Sequence, residues 1–252
     1  MRHTCAVSIE PGYRFQPGAD PQLLVLCDHA GHTLPAAYGG LGMDERDRLS
    51  HVAWDPGAYG VAHALALALG CPAFHGVYSR LLVDLNRAPD ASDLIVFEND
   101  GVRVPGNLAV DDAERARRIA LFHRPYHLAI QAYLVELAAR GLHPLLVSVH
   151  SFTPIFNGRS RPWPVGVLWK QDSAWLQRVF AGLRAEGLEV GDNQPYDGRA
   201  ALGYSLDHHA LPRGLPHVLF EVRQDLLEGA AAQQAWAQRL HAALRHAGLP
   251  RA

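Results

Sequence analysis

Cysteine is scarce in this 252-residue chain, and lysine scarcer still. The three cysteines, Cys5, Cys27 and Cys71, are an odd number without CxxC spacing. This argues against a disulfide framework and against a structural zinc ribbon, and fits a reduced compartment. Lysine occurs only at Lys170, and 23 Lys+Arg against 25 Asp+Glu leave a formal net charge of −2, so no basic stripe is available for nucleic acid. No stretch approaches the roughly 18 apolar residues a spanning helix requires. The N-terminus lacks a cationic start followed by an apolar run. Together these absences predict a soluble, cytoplasmic protein with no membrane partner. No Ser/Gly linker, internal repeat or low-complexity tract divides the chain, so residues 1–252 read as one domain, with Met1 to Asp20 as an irregular N-terminal arm.

What is present is a set of short apolar runs that stop on residues able to do chemistry. Leu23 to Cys27 stops at Asp28 and His29, Leu145 to Val149 at His150, and Val218 to Phe220 at Glu221. Such runs, separated by helical patterns, are the signature of a buried, mostly parallel sheet, whose ligands sit outside the carboxyl ends of the strands. The predicted fold class is α/β, a three-layer sandwich around a mixed, mostly parallel sheet. Asp55 and Pro56 supply an N-cap and an N1 proline for a helix over Ala58 to Leu69, closed by Gly70. Ala73 to Val77 and Leu81 to Leu85 read as two strands, paired antiparallel at an edge. The turn-rich stretch from Arg87 to Val110 reads as an excursion over the site. Asp111 caps a helix from Asp112 to Arg140, kinked at Pro125. Further strands are expected at Val165 to Trp169, Leu188 to Val190 and Val218 to Val222, and helices at Ala174 to Glu186, Leu206 to Ala210 and Ala230 to Ala247.

His29 and His150, each placed at a separate strand end, suit a shared metal held by neutral imidazoles. A catalytic zinc takes three protein ligands and keeps one position open. His51, Asp55 and His32 compete for the third place. Asp55 is favoured because a carboxylate would cancel part of the metal's charge, although as an N-cap it has a structural role already. Asp28, next to His29, points the opposite way if the strand persists. Glu221, inside an apolar run, would have its carboxyl pKa raised by desolvation, which suits a general base and acid; pairing with Arg223 is the competing reading.

Asn86 and Arg87 follow an apolar run and precede Pro89, which holds a side-chain fork on a stiff segment matched to a substrate carboxylate. Arg80 and Arg159 are further candidates for that contact. Arg161 reads as an ordinary surface arginine. The cysteines are poor nucleophiles, since Cys27 is within a strand and neither of the others has a base in an obvious position.

The segments Cys27-Asp28-His29-Ala30, His51-Val52-Ala53-Trp54-Asp55, Tyr78-Ser79-Arg80 leading to Asp84-Leu85-Asn86-Arg87, His150-Ser151-Phe152 with Asn157-Gly158, and Glu221-Val222-Arg223-Gln224-Asp225-Leu226 together resemble the N-formylglutamate amidohydrolase family. The similarity runs from about Leu23 to Leu227. That family looks like a distant relative of zinc carboxypeptidases and of the aspartoacylase group. The resemblance implies a zinc-carboxypeptidase-like (phosphorylase/hydrolase-like) fold and one Zn2+ that activates water against an N-acyl amide. It implies His29 and His150 as ligands, Glu221 as base and Arg87 on the carboxylate of a small N-acyl amino acid. His51 falls where the histidine-degrading members of the family have an acid, which keeps it as a candidate ligand and places the chain in a divergent branch. The leading expectation is a metal-dependent amidohydrolase removing an N-formyl or other small N-acyl group from an acidic amino acid. The alternatives are a zinc carboxypeptidase-like peptidase on a small peptide or cell-wall fragment, or a non-catalytic metal or small-molecule binder.

Overall fold

Seven strands form one sheet in a computed structural model that describes residues 12–248. In chain order they are β1 (Tyr13–Gln16), β2 (Leu23–Cys27), β3 (Ala73–Gly76), β4 (Leu145–Phe152), β5 (Val165–Leu168), β6 (Val190–Asp192) and β7 (His217–Arg223). Their spatial order is β1-β3-β2-β4-β7-β5-β6. The centre, β3-β2-β4-β7, is parallel, whereas β1 runs antiparallel on β3 and β5 antiparallel on β7, so the sheet is mixed as expected. Every residue of β2 and β4 is buried. This is the condition that makes central strands read as unbroken apolar runs.

Besides a single helical turn at Glu45–Arg48, the α-helices among the described residues are α1 (Ala58–Leu69), α2 (Asp112–Arg118), α3 (Arg124–Ala139), α4 (Ala174–Ala185), α5 (Tyr204–His209) and α6 (Gly229–Ala247). Helices α1, α4 and α6 cover one face, where Val25, Val147 and Phe220 meet Leu65, Phe180 and Leu240 in one apolar cluster. Helices α3 and α5 cover the other, with Leu24, Leu146 and Leu219 against Tyr126, Ile130 and Leu206. Alternate residues of each central strand thus feed opposite cores, which is the three-layer arrangement. On α4 the buried residues Trp175, Leu176, Val179, Phe180 and Leu183 follow the helical repeat, and Ser173 caps the first turn through Leu176 N–H. No helix among the described residues is long and apolar enough to cross a membrane.

Several boundaries differ from expectation for identifiable reasons. Part of the expected N-terminal arm is the edge strand β1; residues 1–11, including Cys5, lie outside the described residues. Leu81 to Leu85 is not a strand. Its residues are buried in turns, with Leu81, Leu82 and Val83 in two satellite apolar clusters, so the apolar run reflects burial rather than pairing. Strand β4 continues past His150 to Phe152. Helix α1 is capped by Gly57 in a left-handed conformation, not by Asp55. The Asp112 to Arg140 helix is broken by a π segment, Ile119–His123, immediately before Pro125. The missing proline N–H and its ring clash account for the break there.

Candidate active site

Strand order puts the three chemical strand ends side by side, since β2 is hydrogen-bonded to β4 and β4 to β7, with Glu221 directly opposite His150. His29 sits in the turn after β2, and Asp55 enters from the segment before α1, where its backbone N–H donates to the His29 carbonyl at 3.0 Å. His29, Asp55 and His150, all buried, bring one donor atom each within 4.8 Å of one another. His51 is not brought into this group: its Nε2 lies 2.9 Å from Asp100 Oδ2. His32 stands edge-on to Trp54 instead.

The hydrogen bonds around the two rings determine which nitrogens are left over. His29 Nε2 donates to Asp84 Oδ1 at 2.7 Å, so its buried Nδ1 carries a lone pair and has no hydrogen-bond partner. That lone pair faces Asp55 Oδ2 at 3.5 Å. His150 Nε2 faces Asp28 Oδ2 at 3.3 Å, which turns Nδ1 onto the same Asp55 oxygen at 2.8 Å. Two buried ring nitrogens and a carboxylate oxygen converging on one point repel one another unless a proton or a cation lies among them. The N2O donor set and the carboxylate behind each ring are the features of a divalent metal site with its supporting shell. Asp55 Oδ1 is held by Arg80 Nη2, which frees Oδ2 to face the rings.

Asp28 does not point away from His29's neighbourhood. The strand ends at Cys27, so the alternation rule stops applying, and its carboxylate is gripped on the other oxygen by Tyr126 Oη at 2.7 Å and Ser205 Oγ at 2.6 Å. Burial alone would raise the Asp28 and Asp84 carboxyls. The facing imidazoles outweigh it, aided by Ser205 at Asp28 and by Arg87 and Arg80 at Asp84, and hold both below the usual carboxylate range. Burial, reinforced by Arg80, pushes His29 down to about 4, which keeps the ring neutral as a ligand must be. Glu221 is pushed up by burial against the opposing fields of His150 and Arg80, and its Oε2 has no partner. The competing ion pair with Arg223 does not form: Arg223 binds Asp225 and the Pro162 carbonyl.

His29, Asp55, His150 and Glu221 line a cavity of about 690 Å³ that also includes His51, Arg80, Asn86, Arg87 and Tyr196. Its volume falls within the range of small-molecule sites, about 300–1,000 Å³. Asp93 and Asn99 line it too, so the Arg87 to Val110 excursion forms part of the wall. Asn86 has its Oδ1 occupied by Ser205 N–H at 3.0 Å, and its Nδ2 is used by no hydrogen bond among the described residues. Its amide therefore presents a donor. Arg87 is anchored through Nε to Asp93 at 2.7 Å. Arg159, expected at the substrate, lies on the exposed strand of a small hairpin, Ile155–Phe156 with Arg159–Ser160, and does not line the cavity. The residues missed from sequence are Asp84, Asp28, Ser205, Tyr126 and Tyr196. Asp84 had a readable signal, an acid inside the apolar run Leu81 to Leu85. The others depend on packing between segments far apart in the chain.

Comparison with known proteins gives a consistent result. Residues 21–228 match the model of the N-formylglutamate amidohydrolase family. The chain is 29% identical over 224 residues to the N-formylglutamate deformylase of Pseudomonas aeruginosa, covering 81% of this chain and 80% of that one. Among solved structures it is similar to a gene product of Agrobacterium tumefaciens, with a TM-score of 0.88, 33% identity and 94% of each chain covered. An N-formylglutamate amidohydrolase from Ralstonia eutropha shares the fold, with a TM-score of 0.70 at 22% identity over 95% of this chain and 97% of its own.

Proposed function

Because the chain belongs to the N-formylglutamate amidohydrolase family, we propose that it hydrolyses the amide of a small N-acyl amino acid bearing a carboxylate, N-formylglutamate being the leading candidate, with one Zn2+ in the site. The observation that carries this reading is the convergence of the His29 and His150 Nδ1 atoms on Asp55 Oδ2, beside a buried glutamate with an unpartnered oxygen. His29, Asp55 and His150 would hold the metal, and Asp84 and Asp28 fix the ring orientations. When bound, Zn2+ supplies a lowered water pKa and polarisation of the substrate carbonyl.

The remaining work falls to the chain itself. Glu221 takes a proton from the attacking water at Oε2 and delivers it to the leaving amine nitrogen, a role served by its raised pKa. Arg87 and the Asn86 amide receive the substrate's α-carboxylate. Arg87's anchor on Asp93 limits its rotamers, so little entropy is lost on binding. Arg80 neutralises the outer oxygen of Asp55 and keeps its inner oxygen directed at the rings.

The test is Glu221→Gln assayed on N-formyl-L-glutamate. We expect kcat to fall by about 10²–10⁴-fold, the usual worth of a general acid–base group, with KM little changed. An undiminished kcat contradicts the assignment.

A further inference from the structure

Three of the arginines at or beside the cavity have settled partners or face solvent: Arg80 is paired with Asp55, Arg87 with Asp93, and Arg159 is exposed. Arg161 differs. It makes no ion pair with any carboxylate among the described residues and, although not itself part of the cavity lining, packs against residues that are. Its guanidinium carbon lies 4.5 Å from the centroid of the Phe156 ring, 4.9 Å from that of Tyr196 and 6.0 Å from that of Phe152, and all three rings line the cavity. Its Nη1 donates to Tyr196 Oη at 3.2 Å, and its backbone N–H donates to the Pro154 carbonyl at 2.8 Å.

The local sequence explains the placement. Asn157 and Gly158 both adopt positive φ, 48° and 72°, which closes the Ile155–Ser160 hairpin with a tight turn and returns Arg161 beside Phe156. On the other side, Gly166 carries no Cβ, and one placed there would meet the Gln194 carbonyl oxygen at 1.8 Å. Only glycine lets Gln194 and Pro195 lie against β5 at the residue paired with Glu221, and Tyr196 follows them directly in the chain. A half-buried cation, flanked by aromatic faces and lacking a counter-ion, is pre-organised for an anion that arrives from outside. The Tyr196 hydroxyl already accepts from Arg161, so its own proton is left to donate in the same direction.

We propose that Arg161 and Tyr196 form a second carboxylate station, which reads the side-chain carboxylate of an N-acyl dicarboxylic amino acid while Arg87 and Asn86 hold the α-carboxylate. This rests on the function proposed above and adds the specificity determinant that distinguishes an acidic side chain from its neutral isostere. Four guanidinium N–H groups besides the one on Tyr196 are available for the contact.

The experiment compares N-formyl-L-glutamate with N-formyl-L-glutamine in the full chain and in Arg161→Gln, Arg161→Lys, Tyr196→Phe and Arg159→Gln. The kcat/KM ratio between the two substrates is expected to fall about 10- to 100-fold in Arg161→Gln, through KM, as befits loss of a charge-assisted hydrogen bond. Arg161→Lys should recover part of it, Tyr196→Phe should lower it by a smaller factor, and Arg159→Gln should leave it unchanged. An equal loss on both substrates in Arg161→Gln, or no loss on either, overturns the proposal. Binding of both ligands to the Glu221→Gln protein reads the same ratio without turnover. Failure of the parent enzyme to cleave either substrate therefore counts against the proposed function, and an unchanged binding ratio counts against the second station.

Discussion

Among the described residues two histidine clusters contrast, one interleaved with carboxylates and one not. At the carboxyl edge of the sheet, His29 and His150 share Asp55 and are backed by Asp84 and Asp28. Behind the Asp84-to-Arg87 segment, Tyr204 packs against His123, His127 and His208, and His127 stacks on His209. There the partners are carbonyls and one another: His123 Nε2 donates to the Arg87 carbonyl at 2.9 Å and His127 Nε2 to the Leu85 carbonyl at 2.8 Å. His127 Nδ1 must then accept, at 3.0 Å, from His209 Nε2. In this second group a single bond joins two rings, His209 to His127, and each of those two rings has one protonated and one bare nitrogen. In the first group one nitrogen of each ring faces a single negative oxygen, Asp55 Oδ2, and a carboxylate stands behind each ring. Imidazoles alone make a packed scaffold; imidazoles with carboxylates make a site that calls for a cation.

Substitutions in the two groups should therefore part company. The largest effect is expected from His150→Ala, which removes one of the two ring nitrogens facing Asp55: hydrolysis of N-formyl-L-glutamate should fall to background and bound zinc should be lost. His209→Phe, in the other group, should keep both, and a parallel loss there would erase the distinction. Next comes Asp84→Asn, which leaves the ligands in place but weakens the orientation of His29. Zinc affinity should drop by about 10–100-fold in competition with a chromogenic chelator. Unchanged affinity would mean that the carboxylate behind the ring contributes only packing.

The scaffold group has a signature of its own in pH. Burial pushes His209 down to about 3, below its ordinary value of 6.5, with the charges of His208 and Arg213 adding to the effect. The unfolded chain then binds more protons than the folded one below pH 6.5, so stability is lost as pH falls through that value towards 3. At pH 5 the cost is about 2 kcal/mol for this residue alone. The drop in denaturation midpoint between pH 7 and pH 5 should be smaller in His209→Phe than in the parent. The smallest effect is expected at Arg159→Ala. This exposed residue should alter neither stability, beyond about 0.5 kcal/mol, nor kcat/KM.

How much of this was legible in the sequence follows from what each residue depends on. The strand ends at His29, His150 and Glu221 could be read because a buried parallel strand is a local pattern, and its carboxyl end marks the ligand edge of the sheet. Helix α1 was readable from its alanine and leucine run, although its cap was assigned to Asp55, whose carboxylate is in fact committed to Arg80 and His150. Leu81 to Leu85 was misread because burial without pairing looks like a strand when only hydropathy is seen. Arg161 reads as an ordinary surface arginine because nothing local reveals that Tyr196, 35 positions away, packs on it. The histidine stack was invisible for the same reason, since His127 and His209 are 82 positions apart.

The central claim is that carboxylates, rather than histidines, mark the group proposed to hold the metal. It is tested most directly by measuring zinc bound per chain after dialysis against the metal for the parent protein, Asp55→Ala and His209→Phe. The expected result is one zinc in the parent and in His209→Phe and close to none in Asp55→Ala. A parent that binds no zinc, or an Asp55→Ala protein that retains a full equivalent, contradicts it.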